Sequence, residues 1–292
     1  MEITVCTTDD AYEAWRRVRI DVVPGERADT VEEMRARDHA SRLLLLATVD
    51  GTIVGSGLAD RSSIAGGGYV SPLVRSGHRR QGVGSALLRA LASHVEGLGV
   101  AELRAMTEDE GSLAFAEHFG FVEVDRQVEQ VRTVGDEPEP EPLPEGVEVV
   151  TTHERPELWA ACYERFGTEV LADFAVYQPL EVSEQEWTGS WAGDPMYLAV
   201  HDGEVIGCAG LDRDTDKPER AENALTAVRR DWRGHGIAEH LKRRTLRWAA
   251  EHDVAELYTW TQAGNVPMIT LNERLGYVRG STSITLSRPV PL

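Results

Sequence analysis

The chain has 292 residues, 41% of them apolar and 27% charged, with a formal net charge of −19. That is enough chain for two ordinary soluble domains, each with its own core. The acidic balance argues against non-specific nucleic-acid binding and anionic membranes. No apolar run approaches the roughly 20 residues that cross a bilayer, and Met1-Glu2-Ile3-Thr4 lacks the basic region and apolar core of a signal peptide, so a cytoplasmic protein is expected. Cys6, Cys162 and Cys208 are an odd number without metal-ligand spacing and read as buried thiols. The nine histidines form no H-x-x-x-H cluster, and no metal site is expected.

In chain order, Ile3 to Cys6 reads as a short strand, with Asp9 or Asp10 capping a helix that carries Tyr12, Trp15 and Val18. Thr30 and Glu33 form a capping-box pattern for another short helix. Leu43 to Val49 and Thr52 to Leu58 read as a hairpin through Asp50-Gly51. Val70 to Val74 leads into Arg79-Arg80-Gln81-Gly82-Val83-Gly84, after which Val83, Leu87, Leu91, Val95 and Leu98 recur at helical spacing. Leu103 to Met106 is a further strand, and a short helix ending at Gly120 precedes a final one.

The pattern then repeats. Thr151-Thr152 with Trp159 answers Thr7-Thr8 with Trp15, Tyr197 to Leu211 forms a second hairpin through Asp202-Gly203, and Gly276-Tyr277-Val278 answers Gly120-Phe121-Val122. The second glycine turn is Arg233-Gly234-His235-Gly236-Ile237-Ala238, followed by Leu241, Thr245, Trp248 and Ala249 at helical spacing and by the strand Leu257 to Trp260. Between the copies, residues 135–146 alternate proline and glutamate and read as an extended connector. The expected organisation is an N-terminal domain over 1–134, a linker over 135–146 and a C-terminal domain over 147–292. Each domain is α/β (α+β), a mixed sheet with helices on both faces.

A strand, a glycine turn and a helix aim unpaired backbone N–H groups and the positive end of a helix dipole at one point, where a pyrophosphate binds well. An Arg-x-x-Gly-x-Gly/Ala turn with a Gly-Phe or Gly-Tyr about 40 residues on resembles the GCN5-related N-acetyltransferase (GNAT) superfamily. Here it occurs twice, in a tandem layout similar to that of the mycothiol synthases. The resemblance implies acetyl-CoA or another acyl-CoA as co-substrate, a mostly antiparallel central sheet whose middle strands splay around the pantetheine arm, and direct attack by an acceptor amine. It places the donor against Val74, Arg79, Arg80, Gln81, Gly82, Val83 and Gly84 in the first copy. In the second it places it against Val228, Arg229, Arg233, Gly234, His235, Gly236, Ile237, Ala238 and Asn265.

An amine attacks only as the neutral base, so a carboxylate or a water it holds must take its proton. Glu222, six residues before Val228, stands where the resemblance places a basic glutamate; an exposed glutamate at a strand start is the plainer reading. The matching first-copy residue is Gly68, which cannot ionise. The tyrosine acid usual four residues before the late glycine is replaced by Asn272 in the second copy and Ala116 in the first. Catalysis is therefore expected in the C-terminal domain, with Glu222 and Asn272 as catalytic residues and Thr226, Thr259 and Thr261 around the cleft. The opposite assignment rests on Glu108, Asp109 and Glu110.

The expected acceptor is a small-molecule primary amine. Phe166, Phe174, Tyr177, Trp187 and Trp191, with Asp173, Glu181 and Glu184, suit a cation, although core packing is the default for most of these aromatics. A protein lysine or N-terminus is the second acceptor class. A non-catalytic acyl-CoA-binding or regulatory module is the alternative function. No nucleic-acid or membrane partner is expected, and the protein is taken as a monomer or homodimer.

Overall fold

A computed structural model describes residues 1–62, 66–174 and 182–292. The first half runs β1 (Glu2–Val5), α1 (Asp9–Val22), α2 (Val31–Ala36), β2 (Leu43–Val49), β3 (Thr52–Arg61), β4 (Gly67–Val74), α3 (Val83–Gly97), β5 (Glu102–Thr107), α4 (Glu110–His118) and β6 (Val122–Thr133). The second runs β7 (Val147–Thr151), α5 (Pro156–Ala161), α6 (Thr168–Phe174), α7 (Glu184–Ser190), β8 (Met196–His201), β9 (Glu204–Arg213), β10 (Arg220–Val228), α8 (Ile237–Glu251), β11 (Glu256–Gln262), α9 (Val266–Arg274) and β12 (Val278–Pro289). No helix among the described residues is long and apolar enough to cross a membrane.

The compact units divide the chain elsewhere than at the expected linker. One is Met1–Arg126 with Ser283–Leu292, the other Gln127–Thr282. In the first unit the strand order is β1-β2-β3-β4-β5-β12, and Ile284 to Pro289 of β12 pair antiparallel with β5. In the second it is β7-β8-β9-β10-β11-β6, and Gln127 to Thr133 of β6 pair antiparallel with β11. Each unit therefore takes its last strand from the other half of the chain. Composition marks where the chain cannot be regular; it does not say which edge a long strand will fill.

Local chemistry explains the elements. Thr8, rather than Asp9 or Asp10, caps α1: its hydroxyl accepts from Ala11 N (3.3 Å), and both aspartates sit in the first turn, where the dipole favours them. Thr30 and Glu33 close the expected capping box on α2, and Ser183 and Glu186 close another on α7. The hairpin turns place Asp50 and Gly51 at φ 50° and 76°, and Asp202 and Gly203 at 51° and 77°. Two consecutive positive φ values match the twist of the flanking strands.

The cores lie between helices and sheet. In the first unit Val83, Leu87, Leu91 and Val95 of α3 pack on Val54, Val70 and Leu103. In the second, Leu246 and Ala249 of α8 pack on Leu211, Ala221 and Leu257. Trp159, Phe166 and Trp187 form a separate cluster with Leu198 and Cys208. All three cysteines are buried and free, and burial pushes the Cys6 and Cys162 thiols up to about 12.

Residues 135–146 form no helix or strand, as their prolines dictate. They are nonetheless tied to the second unit. Arg132 pairs with Glu137 (2.6 Å), Arg247 with Glu139 (2.6 Å), and His240 Nδ1 bonds the carbonyl of Glu141 (2.7 Å). The carboxylates of Glu137 and Glu139 are thus met by basic groups of β6 and α8.

Candidate active site

In the second unit β10 pairs parallel with β11 over only three residues, Arg220, Ala221 and Glu222 against Glu256, Leu257 and Tyr258. On its other side β10 pairs with β9, and the register slips between Asn223 and Thr226: three steps along β10 match two along β9, from Leu211 to Ala209. This is a bulge. One extra residue bends the strand and takes part of it out of the ladder. Where β10 and β11 part, a cavity of about 120 Å³ opens between them. It is no packing defect, since a water needs only about 10–15 Å³ by such a measure.

Eight of the twelve lining residues are polar. Asn223 and Thr226 come from β10, Thr259, Thr261 and Gln262 from β11, Gln127 from β6, Lys242 from α8 and Asn265 from the start of α9. Leu225, Trp260 and Met268 supply apolar surface. Lys242 is the only charged residue among these walls. It is 1% exposed, and its Nζ donates to Asn223 Oδ1 (2.8 Å) and lies 5.2 Å from the ring centre of Tyr277. Asn223 Nδ2 in turn donates to Tyr258 O and the Tyr277 hydroxyl, both at 3.1 Å. Burial pushes the Lys242 ammonium down to about 7 and the Tyr277 phenol up.

Asn272 is fully buried beside this cavity. Its Nδ2 donates to Gln130 Oε1 (2.9 Å) and reaches Thr261 Oγ1 (3.5 Å). Among the described residues neither Asn272 Oδ1 nor the Thr226 hydroxyl has a hydrogen-bond partner. Of these two residues Thr226 lines the cleft, while Asn272 is connected to it through Thr261.

The glycine turns are alike in both units. Gly82 and Gly236 cap α3 and α8 at φ 83° and 77°. Arg80 and Gly234 occupy the matching earlier position at φ 64° and 79°. No atom lies within 4 Å of where a Cβ would sit on Gly82, Gly234 or Gly236, which leaves the backbone open to a ligand. Arg79 and Arg233 brace the turns by donating to the carbonyls of Val74 (3.1 Å) and Val228 (3.0 Å). Arg233 also pairs with Asp173, and Arg229 is held by Asp231 (2.6 Å) and Glu204 (3.0 Å), so these side chains are occupied within the protein.

Several expected site residues land where the cleft is. Thr226, Thr259, Thr261 and Asn265 line it, and Asn265 also caps α9 by accepting from Met268 N (3.3 Å). Glu222 is half-buried at the last paired rung before the strands part, and is not among the lining residues. Its first-unit counterpart is Tyr69 rather than Gly68: Glu222 pairs with Asp212 as Tyr69 pairs with Asp60, while Gly68 matches Ala221. The bulge makes the second strand one residue longer, which shifts any count made back from Val228. A Cβ on Gly68 would lie 2.0 Å from Val95, so glycine is a packing requirement there.

Two of the aromatics follow the default reading of core packing. Phe166 and Trp187 are 1% and 0% exposed, and Trp187 stacks on Trp159 at 4.4 Å. Asp173 is taken by Arg230 and Arg233, and Asp109 caps α4 by accepting from Ser112 N (2.9 Å). Tyr177 and Glu181, with the side chain of Phe174, lie outside the described residues. Asn223, Lys242, Gln127 and Gln130 were not singled out from sequence. Lys242 carried a signal: it sits four residues before Leu246 on the buried helix face, where the first copy has Leu88.

Two regions, residues 8–121 and 157–277, match the acetyltransferase (GNAT) family. The chain belongs to that family, with two copies of its fold in tandem. It is similar to a mycothiol acetyltransferase of Brachybacterium faecium, 30% identical over 74% of this chain, and spans 66% of that relative's length. A mycothiol acetyltransferase of Thermomonospora curvata is 27% identical over 85% of this chain and 82% of its own. Among solved structures, a tandem GNAT protein from the clavulanic acid biosynthesis pathway superposes with a TM-score of 0.78 at 19% identity, over 100% of this chain and 99% of its own. A GCN5-related N-acetyltransferase from Sphaerobacter thermophilus gives 0.75 at 19%, over 98% and 95%.

Proposed function

We propose that the protein is an acyl-CoA-dependent N-acetyltransferase that moves an acetyl group from acetyl-CoA to a primary amine of a small molecule, with the chemistry in the second unit. The observation that carries this reading is the bulge in β10 beside a cleft, in the same unit as the glycine turn that opens α8. A pyrophosphate on the N–H groups around Gly234 and Gly236 would direct the rest of the donor along β10. The neutral amine attacks the thioester carbon: an N–C bond forms, the C–S bond breaks, the nitrogen gives up a proton and the departing thiolate accepts one. Glu222 is the proposed base, directly or through a water. Asn272, with its unmet carbonyl oxygen, is proposed to hold a water beside the thioester.

The first unit is proposed as a non-catalytic partner. Its β4 pairs with β3 without a slip from Gly68 to Val74, and it offers no carboxylate at the position of Glu222. Calorimetry with acetyl-CoA tests the assignment. Binding abolished by Gly236→Val and kept by Gly82→Val supports it, and the reverse dependence sinks it. The mycothiol acetyltransferase relatives make a thiol-bearing amine one acceptor to try in the turnover assay.

A further inference from the structure

The cleft of the second unit contains a lysine without an acidic partner, its ammonium pushed down to about 7 by burial. The protein carries 49 acidic residues, yet no aspartate or glutamate is among the residues lining this cavity. Lys242 is the one charged lining residue, and among the described residues its contacts are the neutral Asn223 and the Tyr277 ring. An ammonium has three hydrogens to give, and Asn223 takes one. Within the same cavity the Thr226 hydroxyl has no partner among the described residues. Two donors with unmet capacity therefore belong to residues in the walls of one cavity. Burying an unpaired ammonium is costly, and an acceptor with negative charge removes that cost while forming charge-assisted hydrogen bonds.

We infer that Lys242 and Thr226 are a specificity site for a carboxylate, and that one of the two substrates of the transferase brings this group into the cleft. The inference rests on the transferase reading above. The carboxylate has two possible carriers. It is either the far end of the acyl group, as in a dicarboxylic acid joined to CoA through one of its carboxyls, or the carboxylate of an amino-acid-like acceptor. No carboxylate lines these walls to receive a cationic amine. The arrangement belongs to the second unit, because the first has Leu88 on α3 at the position of Lys242.

Calorimetry with acetyl-CoA, malonyl-CoA and succinyl-CoA tests the donor arm. If the acyl group carries the carboxylate, malonyl- or succinyl-CoA binds roughly 10- to 100-fold more tightly than acetyl-CoA, the range expected for a charged hydrogen bond. Lys242→Met then equalises the donors, and Thr226→Val narrows the gap. Turnover of acetyl-CoA with amino acids against their decarboxylated amines tests the acceptor arm. A preference of the same size for the amino acids, lost in Lys242→Met through KM rather than kcat, assigns the carboxylate to the acceptor. Lys242→Gln keeps a donor towards Asn223 and serves if the methionine variant does not fold. Equal use of charged and neutral partners in both arms, or a preference that survives both lysine variants, overturns the inference and leaves the transferase reading standing. Failure of every acyl-CoA to bind removes both.

Discussion

The two units have one frame and different interiors. Where the first has Val70, Leu88 and Phe121, all buried and apolar, the second has Asn223, Lys242 and Tyr277 joined by hydrogen bonds. The pairing of β4 with Ala59 at Val70 and of β10 with Leu211 at Asn223 fixes that correspondence. Ala116 and Leu286 in the first unit likewise stand for Asn272 and Gln130 in the second. The first unit shows that this frame needs none of these polar groups. A buried polar network adds little to stability over a well-packed apolar one and is costly when partly satisfied, so its presence in one unit alone points to chemistry rather than folding.

The sharpest way to break the comparison is at Glu222. Glu222→Gln is expected to lower kcat by about 10²- to 10⁴-fold, the usual contribution of a general base, while Tyr69→Phe at the matching first-unit position leaves turnover unchanged. Equal losses in a steady-state assay would deny the units separate roles.

Next in size is a transplant. Leu88→Lys places a cation in an apolar core with Val70 and Phe121 as neighbours in kind, and is expected to cost about 3–5 kcal/mol in urea unfolding. Adding Val70→Asn and Phe121→Tyr should recover part of that loss. A tolerated single variant would show that the first core is less closed than its packing implies.

The ionisation of Lys242 gives a smaller, pH-dependent difference. Its folded value is near 7 against an ordinary value of 10.5. Between these the unfolded chain holds a proton that the folded chain has released, so stability rises with pH from about 7 to about 10.5 and this group adds no slope below that window. The slope is at most about 1.4 kcal/mol per pH unit. The walls around it hold no carboxylate, and the facing Tyr277 stays neutral because burial raises its phenol. Thermal melts of Lys242→Met against the parent at pH 7 and pH 9 should show the slope reduced in the variant.

The smallest effect should be equal in the two units. Thr30→Ala and Ser183→Ala each remove a capping box and should each cost about 0.5–2 kcal/mol in chemical denaturation. A marked inequality would show that one unit unfolds before the other.

Much of this architecture is legible in the sequence because its signals are local. Asp-Gly dipeptides, capping boxes and paired glycines require particular backbone angles, and they fall in the same order twice. The bulge is not legible, because an extra residue between Asn223 and Thr226 leaves no mark in composition; it shows only in the register with β9. It also misplaced the counterpart of Glu222 by one residue. Lys242 was readable from helix phase, since it interrupts a buried stripe, but a single lysine in a charged helix is easily taken for a solvated one. Of the aromatics weighed as pocket walls, Phe166 and Trp187 follow their default reading and close a core with Trp159.

The exchanged strands affect how the protein is made. During synthesis Met1–Arg126 emerges first, but the edge of β5 stays open until Ile284 to Pro289 have followed the whole of Gln127–Thr282. Long-range pairing of this kind is slow, and an open edge invites wrong partners while it waits. Neither half cut at residues 135–146 would carry a full set of strands for its own sheet. Translation rate and chaperone supply should therefore govern the yield of the first unit more than that of the second.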